Sequence, residues 1–132
     1  MDVWAKLNLK GQTRIAVLGA PPSFEPALAA LDGVQVEREA VAPLAFALAF
    51  AERRSQLDAA ARDLAGKAEG DAILWFAYPK RSSRRYACDF DRDHGWEVLR
   101  EAGWDSVRMV ALDEDWSALR FRRKAFIRKA GG

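Results

Sequence analysis

The residue types best suited to chemistry fall in two short clusters. Lys80, Arg81, Ser82, Ser83, Arg84 and Arg85 put four cations and two hydroxyls into one loop. Arginine presents a planar fork that matches carboxylate or phosphate, so such a loop could grip a small anion. The plainer alternative is a solvated loop whose charges face Asp89, Asp91 and Asp93. Asp113, Glu114 and Asp115 put three carboxylates beside Trp116. They could form an acidic lip with Trp116 as a stacking wall. The alternative is a hairpin turn held by ion pairs to Lys80 or Arg81, with Trp116 packed in the core. Three adjacent acids are not a metal motif, because ligands must converge on one point, and no metal is expected.

Three further features carry weaker signals. His94 is the only histidine, and Ser82, Ser83 and Cys88 precede it in the same loop. A Ser/His or Cys/His pairing can be drawn, but no nucleophile motif surrounds these residues. His94 is expected to face solvent, and Cys88 to be half-buried packing. The run Arg120, Arg122, Arg123, Lys124, Arg128 and Lys129 is the densest positive charge. A basic strand with aromatics can bind nucleic acid. The plainer reading is an edge strand protected from aggregation by its charge, followed by a solvated tail. Five tryptophans stand at 4, 75, 96, 104 and 116. Most should be core, but one or two at an exposed sheet edge would mark a homodimer surface.

The elements that must position these residues follow from periodicity. Ala72 to Tyr78 is an unbroken apolar run between Gly70-Asp71 and Pro79. That pattern predicts a central strand, buried on both faces, over Asp71 to Lys80. Arg14 to Gly19 predicts a first strand, and Val34 to Glu39 an outer one. Leu44 to Ala51 fits either period; Pro43 before it and a capping-box spacing from Ser55 after it favour a strand. Helices are predicted over Phe24 to Leu31 with Ser23 as cap, over Ser55 to about Lys67, and over about His94 to Ala102 with Asp91 or Asp93 as cap. Ser106 to Leu112 and Ser117 to Arg123 read as a closing antiparallel hairpin. Strands alternating with helices predict an α/β three-layer sandwich. Its sheet should be mostly parallel, with about six strands.

Composition bounds the function. A chain of 132 residues, 50% apolar and 30% charged, is long enough for one domain with a real core. A net charge of +2 leaves no general field for nucleic acid. The single cysteine forbids an intrachain disulfide and favours a reducing cytoplasm. No apolar run approaches membrane-spanning length, so no membrane partner is expected.

The chain resembles a reduced class I methyltransferase-type Rossmann sheet, which also ends in an antiparallel hairpin. It is similar in particular to a small bacterial family known only by a domain-of-unknown-function label. Residues 14–21, 74–80 and 110–120 carry that likeness. The resemblance implies a fold but no established activity. It also exposes a departure. The first βα turn of methyltransferases is Gly-rich and lets the cofactor approach the backbone. Here it reads Gly19-Ala20-Pro21-Pro22-Ser23, with one glycine and two prolines that remove donors. Glu37 and Glu39 could hold a ribose at the end of the second strand, but without the glycine turn plain solvation is the better reading.

No cofactor is therefore expected, and the sequence favours a non-catalytic protein of unknown role. Any site is expected in the crevice of Gly19, Pro21, Ser23, Tyr78, Lys80, Arg81, Ser82, Ser83, Arg84, Asp113, Asp115 and Trp116. Its ligand would be a small anion or an acidic partner. The alternatives are a methyltransferase-like enzyme and, second, nucleic-acid binding through the basic C-terminal strand.

Overall fold

The computed structural model describes residues 2–127. Its centre is the run singled out above, now β4, Ala68–Pro79, buried without interruption from Leu74 to Pro79. On one side of it lie β3 (Leu44–Phe50), β1 (Arg14–Leu18) and β2 (Gln35–Glu37), all paired in parallel. On the other side lie β6 (Trp116–Arg123) and then β5 (Trp104–Ala111), paired antiparallel. The six-stranded order is β2-β1-β3-β4-β6-β5. Leu44–Phe50 is a strand, as its flanks predict. The chain leaves β1 first to β2 and then returns to β3 on its other side. That reversal of strand order is where sheets of this kind commonly open a crevice at their carboxyl ends.

Helices cover both faces. α1 (Val3–Lys6) and α2 (Glu25–Ala29) pack on the face of Val17, Leu48 and Trp75. α3 (Arg54–Lys67) and α4 (Glu97–Glu101) pack on the face of Ala49, Phe76 and Phe121. Two core clusters result, one on each side of the sheet, as period-two burial on a doubly covered strand requires.

Several boundaries differ from the sequence expectation, each for a local reason. Ser23 makes no cap hydrogen bond; it sits inside a 3-10 turn, Pro22–Phe24, in which the Phe24 amide donates to the Pro21 carbonyl at 2.9 Å. The Pro21-Pro22 doublet imposes that tighter turn, and α2 is correspondingly short. α3 starts at Arg54, ahead of Ser55. Gln56 Oε1 accepts from the amides of Glu52 and Arg53, and the Asp89 carboxylate accepts from the Arg54 amide at 2.6 Å. These acceptors satisfy donors that the helix itself cannot. The helix expected from His94 begins only at Glu97. Asp91 Oδ1 instead accepts from the Asp93 and His94 amides, and Gly95 follows at φ 110.

β6 is not an edge strand. It is inserted between β4 and β5, so its arginines serve the interior of the sheet. Arg122 forms a fork with Asp71 at 2.8 and 2.6 Å. Arg123 donates to the Gly70 and Ala68 carbonyls and lies 4.7 Å from the Trp104 ring centre. Arg128 and Lys129 of the basic run lie outside the described residues. All five tryptophans are buried, at 5% exposure or less, so none marks an exposed self-association edge.

Candidate functional site

The carboxyl edge of the parallel strands gathers most of the expected residues, but it divides them. The division begins at the first βα corner. Gly19 takes φ 68, and a Cβ there would stand 3.1 Å from the Phe50 carbonyl oxygen. The glycine permits a close approach between β1 and β3. Pro21 is buried. In front of it an aromatic chain closes the corner. Phe24 packs on Phe50 at 5.0 Å, Phe50 on Trp116 at 5.1 Å, and Trp116 on Tyr86 at 5.0 Å. Trp116 is thus core rather than a stacking wall, and Ser23 is exposed beyond it.

The second group is a clasp. The Lys80 amide donates to the Asp115 carbonyl at 2.7 Å, and Ser83 Oγ donates to the Asp115 carboxylate at 2.9 Å. Ser83 Oγ also accepts from the Arg85 and Tyr86 amides. Asp113 Oδ1 accepts from the amides of Asp115 and Trp116. The acidic turn and the basic loop do meet, but through hydroxyl and backbone. No ion pair from Asp113 or Asp115 to Lys80 or Arg81 is found among the described residues. Ser82 and Arg84 are exposed and line none of the pockets described.

The third group forms a pocket of ≈ 650 Å³ on the α3/α4 side of the sheet. Tyr78, Phe90 and half-buried Cys88 form its floor, and the exposed Met109 with Lys80, Arg81, Arg92 and His94 lines the rest. Such a volume is typical of a small-molecule site. Of the expected residues, only Tyr78, Lys80 and Arg81 line it. Phe90, Asp91, Arg92, Met109 and Ser117 were missed. They come from a loop and two later strands that the sequence does not bring together.

The electrostatics of the rim follow from who is already paired. Asp91 binds the His94 ring at 2.9 Å, two backbone amides, and Arg81 at 3.4 Å. The hydrogen bond from His94, with the Asp93 amide next, holds its carboxyl below the ordinary range. Asp89 is occupied by the N-terminus of α3. Arg92 lies 3.7 Å from Asp93, a loose exposed contact. Lys80, beside the floor, has no ion-pair partner among the described residues. Burial pushes the Cys88 thiol up, so the sulfur is neutral and a poor nucleophile. The Tyr78 hydroxyl is likewise pushed up by burial and donates to Met109 Sδ at 3.4 Å. His94 is 81% exposed in its side chain and faces a carboxylate rather than a nucleophile. Among the described residues no acid–base–nucleophile set is assembled in the pocket.

The fold is similar to that of solved structures. A SAM-dependent methyltransferase from Aquifex aeolicus is 13% identical, with a TM-score of 0.64, over 92% of this chain and 87% of that one. The N-methyltransferase NodS from Bradyrhizobium japonicum WM9 is 13% identical, TM-score 0.57, over 90% and 91%. The [4+2]-cyclase SpnF is 13% identical, TM-score 0.61, over 92% and 78%. No family model matches the chain, and no curated protein does. The chain therefore has an α/β methyltransferase-like fold. At these identities the likeness concerns the fold alone, and SpnF's name already points to another reaction on it.

That fold raises the question of an adenosyl cofactor. The residues at the first βα corner do not fit one. The prolines offer no backbone donors, and the Phe50 carbonyl stands so close to Gly19 that a Cβ there would come within 3.1 Å of it. At the end of β2, Glu37 is bound by Gln35 at 2.6 Å, and Arg38 forms a two-pronged pair with Glu25 at 2.8 Å. No carboxylate there is placed for a ribose except Glu39, which is exposed.

Proposed function

We propose that this chain is a binding protein of the methyltransferase-like fold that takes a small anionic molecule with an apolar or aromatic body. The observation that carries this reading is the Tyr78–Lys80 pocket. Its floor is apolar, its aspartates are committed within the protein, and Lys80 is left uncommitted at its mouth. An aromatic carboxylate would bury its ring against Tyr78, Phe90 and Met109 and place its charge on Lys80. No catalytic residue is assigned, and a reducing cytoplasm suits the single half-buried thiol of Cys88.

A thermal-shift screen of aromatic and aliphatic carboxylates tests this, since a ligand of the folded state alone must raise Tm. A hit should bind about tenfold more weakly to Lys80→Ala, the loss of one charge-assisted contact. Were no anion in the screen to raise Tm, or were Lys80→Ala to bind every hit unchanged, the reading would fail.

The fold comparisons favour a second reading, a small-molecule methyltransferase, more than they favour a domain without catalysis. The closed corner is the observation against it. Calorimetric titration with S-adenosylmethionine and S-adenosylhomocysteine separates the two. Saturable micromolar heat would favour the enzyme; no heat is expected.

A further inference from the structure

The other side of the sheet carries a cluster that neither the pocket nor the fold requires. Arg108 on β5 stands directly opposite Arg120 on β6, and Arg122 is two residues further along the same face. Like charges directly opposed across two strands destabilise a sheet. Among the described residues no ion pair is formed by Arg108 or Arg120. Asp71 is consumed by Arg122 in a two-pronged pair. Asp105, opposite Arg122, lies 3.7 Å from Arg100 instead. Arg120 Nε is buried and meets no acceptor. Burial and the charges of Arg122 and Arg108 push the Arg120 guanidinium below its ordinary value, with only Asp71 acting the other way. A buried donor on a charged group without an acceptor is costly, and the chain keeps one here beside a second unpaired cation.

We infer that Arg108 and Arg120 form an oxyanion site, distinct from the Tyr78–Lys80 pocket, that takes a phosphoryl group. The charge count selects the ligand. With Arg122 neutralised by Asp71, Arg108 and Arg120 leave two positive charges, which a phosphate dianion balances and a carboxylate does not. Phosphate oxygens also accept from two guanidinium forks at once. A long nucleic-acid track fits less well, because Arg123 is committed to the Ala68 and Gly70 carbonyls and the net charge is only +2. Register places the two sites on opposite faces. Arg120 pairs with Trp75, whose face carries α1 and α2, whereas the pocket's Met109 pairs with Leu119 on the other face.

The test uses the whole chain with inorganic phosphate, pyrophosphate and acetate at matched ionic strength, read by thermal shift and calorimetry. In Lys80→Ala protein, whose pocket lacks its cation, phosphate and pyrophosphate should raise Tm and give saturable heat; acetate should give neither. Arg108→Glu puts a carboxylate opposite Arg120. It should raise Tm in the absence of phosphate and abolish the phosphate response. Arg120→Lys, which keeps the charge but removes the fork, should weaken phosphate binding about tenfold. Lys80→Ala should leave phosphate binding unchanged, which separates this site from the pocket. The inference is overturned if millimolar phosphate shifts nothing, if acetate matches it, or if Arg108→Glu binds phosphate like the parent protein.

Discussion

Single residues decide what the carboxyl edge can hold. Gly19 illustrates a residue whose type was legible and whose purpose was not. In the sequence it resembles the remnant of a cofactor turn. In the structure it lets the Phe50 carbonyl approach where a Cβ would stand at 3.1 Å, with the backbone at φ 68. Gly19→Ala should lower stability by about 1–2 kcal/mol, the cost of a left-handed non-glycine residue, as read by urea denaturation. Gly95 acts on the pocket instead. It holds φ 110, and a Cβ there would fall 2.9 Å from the Phe90 Cβ. Gly95→Ala should displace Phe90 from the pocket floor. Any ligand found in the thermal-shift screen should then bind more weakly, even at temperatures where the variant remains folded. No spacing in the sequence pairs Gly95 with Phe90. Their contact depends on the turn that Asp91 organises.

At the scale of elements, β4 does most of the joining. Its first turn carries Asp71, which meets Arg122 of β6. The Arg122 hydrogen bonds hold the Asp71 carboxyl below its ordinary range. A depressed carboxylate stabilises the fold above its unfolded value of about 3.9, and that contribution is lost as pH falls through the lower folded value. Asp71→Asn should therefore lower Tm at neutral pH, with the difference from the parent closing under acid conditions. Both partners are partly exposed, so added salt should shrink the effect. Further along β4, Trp75 Nε1 donates to the Leu7 carbonyl at 2.8 Å and ties the lead-in segment to the sheet. Trp75→Phe keeps most of the ring but orphans a buried carbonyl, which should cost about 1–3 kcal/mol. Amide exchange at Leu7, Asn8 and Leu9 should accelerate more than exchange in β3.

At the scale of the molecule, the sheet order sets the division between the two proposed sites. Inserting β6 between β4 and β5 places Met109 and Ser117 beside Tyr78, which makes the pocket. The same insertion stacks Arg108 against Arg120 on the opposite face. Among the described residues no helix is long and apolar enough to cross a membrane. In the methyltransferase-like sheet, Phe50 of β3 packs between Phe24 and Trp116. Phe50→Ala removes the central ring of that corner. It should cost about 3–5 kcal/mol in denaturant unfolding, as for other buried aromatics.

The sequence by itself determined the elements that depend on near neighbours. The apolar run of β4, the strand before Ser55, the closing hairpin and the proline-stiffened corner were all visible, because period and turn chemistry are local. That Lys80 and Asp115 share one edge was expected only from the resemblance; the strand pairing places them there. Only the tertiary structure decided that this edge is split by aromatic packing. Only it decided that β6 is interior, and that Ser83 rather than a lysine clasps the acidic turn. Those outcomes rest on contacts between residues tens of positions apart. Their energies come from packing and from hydrogen bonds that no local pattern encodes.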